Sequence, residues 1–114
     1  MNYDKSPQPL TLIVGVKNHL EVINLLASID ENIEVILVLN NASLLIKNTL
    51  SYLRFENFVL RILEIPFCSL GMIKNVGIEN ARNDNVFFLD ADNVLEKGTL
   101  KKIIIVLKNM MRVK

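Results

Sequence analysis

"FFLDADN", residues 87–93, runs three large apolar side chains straight into Asp90 and Asp92, two carboxylates one residue apart. A short apolar run stopped by like charges reads as a buried strand whose carboxyl end opens onto a polar crevice. The flanking sequence says what sheet would hold it. "LTLIVGV" (10–16), "IEVILVL" (33–39) and "FVLRILEI" (58–65) are equally short and rich in β-branched residues, and "NVFFLDA" (85–91) completes a set of four strands. Between them the apolar spacing turns helical. Leu20, Ile23, Leu26 and Ala27 follow the first strand, with Asn18 as an N-cap and Glu21 three places on. Residues 45–53 carry Ile46, Leu50 and Leu53 on one side, and 69–81 carry Leu70, Ile73, Gly77, Ile78 and Ala81. Gly77 costs helix propensity, so its place there predicts close approach of that helix to the sheet.

Strand alternating with helix implies an α/β protein: three layers, α/β/α, around a mostly parallel sheet with right-handed crossovers. Arg61 and Glu64 in the third strand suit a sheet edge, where charge discourages stray pairing, and Pro66 ends that strand. The tail from Thr99 to about Met111 is read as a last helix. Its run Ile103–Leu107 is mostly β-branched and would suit a strand as well.

The 114 residues fit one domain, 1–114. With 51% hydrophobic residues the chain has more apolar surface than its own core needs, which calls for a homodimer or a missing C-terminal domain. Peripheral membrane association through the basic tail helix fits less well, because its lysines do not sort onto one side. A net charge of +1 gives no field that would gather nucleic acid. Cys68 is the only cysteine and the first residues lack the order of a secretion signal, so a reducing cytoplasm is the expected compartment. No apolar run approaches the roughly 20 residues of a membrane span. His19 is read as a surface residue of the first helix and Cys68 as a half-buried loop residue.

In open α/β sheets ligands bind beyond the carboxyl ends of the strands. Four loops meet there: "GVKN" (15–18), "LNNAS" (39–43), "PFCSLG" (66–71) and "DADN" (90–93). Neither G-x-G-x-x-G nor G-x-x-x-x-G-K-[ST] occurs, which argues against dinucleotide oxidoreductases and P-loop NTPases. Without a glycine-rich nest, phosphate charge would be met by a hard divalent ion, Mg²⁺ or Mn²⁺, which takes one or two carboxylates plus phosphate oxygens. Asp90 and Asp92 are placed for that, since their repulsion either raises one pKa or demands a cation. A plainer alternative stays open: one aspartate caps the following turn and the other is solvated.

"KNVGIENARNDNVFFLDADNVLEKGTLKKI" (74–103) closely resembles the stretch of family 2 inverting glycosyltransferases that runs from a basic-Asn-x-Gly-Ile helix through an apolar strand and its D-x-D motif to the next helix. "PLTLIVGVKNHLEVINLLASI" (9–29) is similar to that family's opening strand and helix, with Asn18 at the place of its common Tyr-Asn. The resemblance covers nearly all of this chain but only the donor-nucleotide half of a family member. It implies the GT-A fold, Rossmann-like, with strand order 3-2-1-4. It implies that Asp92 ligates a metal bridging a sugar-nucleotide diphosphate, and that Asp90 supports the ion or bonds the ribose. Lys74 then lies near the donor phosphates, and Gly15 and Lys17 line the base pocket through their backbone. The resemblance makes a uridine diphosphate sugar the first choice of donor, but Asn40 and Asn41 stand where many members have Asp-Asp-Gly-Ser, and an uncharged amide that also donates leaves cytidine and guanosine open. No residue matches the family's general base, so no catalytic residue is assigned, and the chain alone is expected to bind donor with little transfer activity.

Three rival readings differ in what they require. "DADNV" (90–94) also satisfies the D-x-D-x-[TV] pattern of aspartyl-nucleophile phosphatases, but those place it near the chain start and draw further residues from far downstream. A non-catalytic interaction module that kept the fold would bind no nucleoside diphosphate. A calcium loop fails, since Leu95 and Lys101 stand where Gly and Glu are required.

Overall fold

The computed structural model describes residues 7–66 and 69–112. In chain order the elements are β1 (Thr11–Val16), α1 (Val22–Ala27), β2 (Glu34–Asn40), α2 (Leu44–Tyr52), β3 (Val59–Ile65), α3 (Leu70–Asn80), β4 (Val86–Asp90) and α4 (Thr99–Arg112). The four strands form one sheet in the order β3-β2-β1-β4, every pair parallel. This is the α/β architecture and strand order expected. The tail is a helix, and Leu100 and Ile104 are its buried residues.

The two sheet faces are covered unequally. On one, alternate residues Leu12, Val14 and Val16 of β1 and Val35, Leu37 and Leu39 of β2 meet Val22, Leu25 and Leu26 of α1, Ile46 and Leu50 of α2, and Leu100 and Ile104 of α4. Each such buried aliphatic side chain contributes about 1.5–3 kcal/mol relative to exposure. On the other face the smaller cluster is Ile13, Ile36, Val38 and Ile73, with α3 its helix. A Cβ on Gly77 would stand 2.4 Å from Ile13 Cγ2, so α3 packs backbone-close on β1, as the glycine predicted. Helices α2 and α3 begin at Ser43 and Ser69, whose hydroxyls accept from the Ile46 and Met72 amides.

Several local expectations are corrected. Asn18 caps no helix: α1 starts only at Val22, behind Glu21, whose side chain makes no capping bond. A backbone turn, Val22 N–H to the His19 carbonyl (3.2 Å) and Ile23 N–H to that of Leu20 (3.1 Å), takes up the intervening residues. The buried face is therefore Val22, Leu25 and Leu26, leaving Leu20 44% exposed and His19 in the turn rather than on the helix. On α3, Leu70 and Ile78 are exposed while Ile73 and Gly77 are buried, because the sheet meets only the narrow stripe that contains the glycine. β3 is an edge strand, but Arg61 does not guard it. Its guanidinium turns inward, donating to Glu34 Oε2 at 3.1 Å and to the Asn80 carbonyl, while the exposed Glu64 pairs with Lys47 at 2.9 Å. Cys68 lies outside the described residues. None of the described helices is long and apolar enough to cross a membrane.

Candidate functional site

The crossovers decide where a cleft can form. α1 and α2 carry the chain along one face from β1 to β2 to β3, then α3 returns over the other face and sets β4 against the far side of β1. The carboxyl ends of β1 and β4 are thus a topological switch point. A cleft of about 370 Å³ lies there. Its floor is Ile13 and Gly15 of β1 with Phe88 and Asp90 of β4; Leu70, Ile73 and Lys74 of α3 form one wall; Lys17, His19, Asn40 and Asn93 stand around the mouth. A Cβ on Gly15 would come within 3.2 Å of Ile73 Cγ2, so the glycine keeps the floor low where α3 leans over it.

Of the residues singled out from sequence, Gly15, Lys17, Asn40, Lys74 and Asp90 share this cleft. Asn18, Asn41 and Asp92 do not line it. Asn18 is exposed in the bend after β1. Asn41 has φ +52°, a left-handed conformation that asparagine tolerates, and its N–H donates to the Ile65 carbonyl at 3.0 Å; it borders a separate hollow with Lys47 and Glu64. Asp92 is exposed at the tip of the turn beside the cleft.

That turn is braced by Asn93. Its Oδ1 accepts the Asp90 amide and its own N–H donates to the Asp90 carbonyl, both at 3.0 Å. Among the described residues neither Asp90 nor Asp92 has a side-chain hydrogen bond or ion pair, so neither aspartate does the capping. Farther on, Ser28 Oγ accepts the Leu95 amide and Asp30 the Gly98 amide, each at 3.0 Å, which ties the segment after the motif to the end of α1. Two hard carboxylate oxygen donors without partners suit Mg²⁺ or Mn²⁺. No three His, Cys, Asp or Glu side chains among the described residues come together to hold an ion. Charge of both signs meets in the cleft: Lys74 Nζ lies 5.1 Å from the centroid of the Phe88 ring, on the floor that also holds Asp90.

The perturbed carboxylate lies at the other end of the sheet. Glu34, 2% exposed at the start of β2, accepts from Thr11 Oγ1 (2.8 Å), the Arg82 amide (2.8 Å) and Arg61 (3.1 Å). Burial pushes its pKa up, but the bonds from Arg82, Thr11 and Arg61, with the charge of Arg61, outweigh burial together and hold the carboxyl below its ordinary range. The group is structural, fastening the carboxyl end of α3 to the sheet.

Sequence reasoning missed His19, Phe88 and Ile73 as parts of the cleft, and gave Asn93 no role beyond its place in the loop. Asn93 carried a signal, since an asparagine three residues after a strand's last residue is a turn-former. His19 carried none, because helical spacing placed it elsewhere.

A parallel 3-2-1-4 sheet with a cleft over the β1–β4 switch point is an open, Rossmann-like α/β fold. Among solved structures the chain is similar to the crystal structure of S. aureus TarS 1–349, with a TM-score of 0.74 and 22% sequence identity, covering 88% of this chain and 32% of that one. At that identity the likeness is one of fold, and this chain spans about a third of the TarS structure. No protein-family model and no curated protein matches the chain.

Proposed function

We propose that this chain is the donor-binding portion of a glycosyltransferase of the family 2 inverting type, holding a metal-bound nucleotide diphosphate sugar. The observation that carries it is Asp90 on the floor of a cleft over the switch point, with Asp92 beside it and Lys74 on the facing wall. On this reading residues 1–114 are one nucleotide-sugar-binding domain, and the acceptor half and its general base lie outside it. Asp92 and Asp90 would hold Mn²⁺ or Mg²⁺, and Lys74 would add a second positive charge against the diphosphate. The ion, when bound, supplies charge stabilisation of the leaving diphosphate. The chain's own part is electrostatic too: Lys74 faces the phosphates, and the backbone at Gly15 and Lys17 lies against the base. Asn40 would meet the base edge, with Asn41 behind it on the same turn. Uridine is the first expectation from the resemblance, and because an amide both donates and accepts, cytidine or guanosine are the alternatives.

Calorimetry with UDP, GDP and CDP, each with and without Mn²⁺, tests this. One of them should bind, require the cation, and lose at least about tenfold in affinity, ~1.4 kcal/mol, in Asp92→Ala. Unchanged affinity in that variant would remove the role given to Asp92. A non-catalytic interaction module is favoured by one feature, the exposed apolar strip of Phe87, Val106 and Met110; it requires that none of the three nucleotides bind.

A further inference from the structure

Lys74 and Asp90 line the same cleft with opposite charges, and a lysine side chain is long and mobile enough to reach across it. They do not pair: the ion pairs among the described residues are Lys47–Glu64, Arg61–Glu34 and Arg82–Glu34. The Lys74 ammonium sits instead over the Phe88 ring, 5.1 Å from its centroid. Phe88 precedes Asp90 by two residues on β4, so both point to the same face of the sheet, about 7 Å apart along the strand. Phe88 is 39% exposed, leaving its ring open to the cleft.

We propose that Phe88 is a positioning residue: its ring holds the Lys74 ammonium on the cleft wall short of Asp90, so the cleft presents a carboxylate and an ammonium as separate charges. The purpose of this arrangement rests on the donor-binding reading above, whereas its geometry does not. A half-exposed cation–π contact and a solvent-exposed lysine–aspartate pair are of similar strength, so a ring already under the ammonium is enough to decide between them. A diphosphate is a stronger attractor than either and can draw the ammonium off the ring. Asp90 then stays available to a divalent cation while Lys74 stays within reach of the phosphates. An aliphatic side chain at 88 would leave Lys74 free to fold onto Asp90 and compete with that cation.

Two measurements on the full chain test this. In the NMR spectrum of the free protein the ε-methylene protons of Lys74, assigned by their loss in Lys74→Met, should be shifted upfield by the ring current; the shift should vanish in Phe88→Leu and persist in Phe88→Tyr. In calorimetric titration with UDP, GDP and CDP, Phe88→Leu should raise both the Kd of the bound nucleotide and the Mn²⁺ concentration for half-saturation by about three- to tenfold. In the Lys74→Met background the same change should move neither. An unshifted Lys74 signal in the wild type overturns the proposal whether or not a nucleotide binds. A Phe88→Leu penalty that persists without Lys74 also overturns it, because the ring would then touch the ligand directly. If the ring-current shift is present and no nucleotide binds, the donor-binding reading fails while the hold of Phe88 on Lys74 stands.

Discussion

Adding one methyl group at Gly77 should reverse its effect on stability depending on what stands at position 13. In the wild type the new Cβ would lie 2.4, 2.9 and 3.1 Å from Cγ2, Cδ1 and Cγ1 of Ile13, where carbon atoms prefer about 3.5–4.0 Å. Ile13 cannot step aside. It is 1% exposed in β1, with Ile36 beside it on β2 and Phe88 on β4. Either α3 backs off by roughly 1 Å or Ile13 leaves its rotamer, an overpacking cost of about 1–3 kcal/mol. Alanine recovers about 1 kcal/mol of helix propensity, so Gly77→Ala should destabilise by up to about 2 kcal/mol. Urea unfolding followed by circular dichroism should show the midpoint falling by up to roughly one molar. Ile13→Ala removes all three clashing atoms and is itself costly, about 2–5 kcal/mol. Within that background Gly77→Ala should become neutral or stabilising by up to about 1 kcal/mol. Equal destabilisation in both backgrounds, or a gain in the wild type, would refute the claim that the glycine exists to let α3 touch β1.

Glu34 gives a pH dependence of known sign. Its folded pKa is held down, so the stabilisation it contributes is complete above the unfolded glutamate value of about 4.3 and is lost as pH falls through the folded value. Glu34→Gln should cost about 1–3 kcal/mol near neutrality, discounted because Arg82 is largely exposed, and should flatten the slope of stability between about pH 5 and 3; an unaltered slope in urea titrations would exclude Glu34 as its source. The strand β4 itself carries neither Pro nor Lys, and Phe87 forms a groove with the Lys102 stem, Ile103, Val106, Leu107 and Met110. Sedimentation should therefore show the mean mass rising with concentration, and Phe87→Lys should suppress the rise; a wild type that stays monomeric throughout would remove that expectation.

The strands were legible because a parallel strand covered on both faces shows as a continuous apolar run, and β1 and β2 are such runs. Their order is not written in any periodicity; it came from the resemblance carried by residues 74–103. The start of α1 was misjudged because a six-residue helix without a side-chain cap leaves Leu20 indistinguishable from the first residue of its apolar face. Glu34 passed unnoticed inside "IEVILVL" because its partners Arg61 and Arg82 are 27 and 48 residues away, and only pairing of the strands brings them together. In the site, Asp90 was legible from the cost of like charges at a strand end. Phe88 was not, since its part in the cleft depends on which sheet face α3 leaves open.

That open face follows from two glycines. Gly77 lets α3 rest against Ile13, and Gly15 lets the side chain of Ile73, about one helical turn earlier, lie over the end of β1. α3 accordingly packs on β1 and β2 and leaves Phe88 and Asp90 of β4 exposed in the cleft. Its carboxyl end is fastened through the bonds of Arg61 to Asn80 and of Glu34 to the Arg82 amide, so displacement at Gly77 must tilt the other end, where Ile73 and Lys74 form the wall. A side chain at Gly77 thus strains the core and moves the wall, whereas one at Gly15 meets Ile73 at 3.2 Å and fills the floor directly. The two glycines therefore bear differently on the cleft: one sets where its wall stands, the other how deep it is.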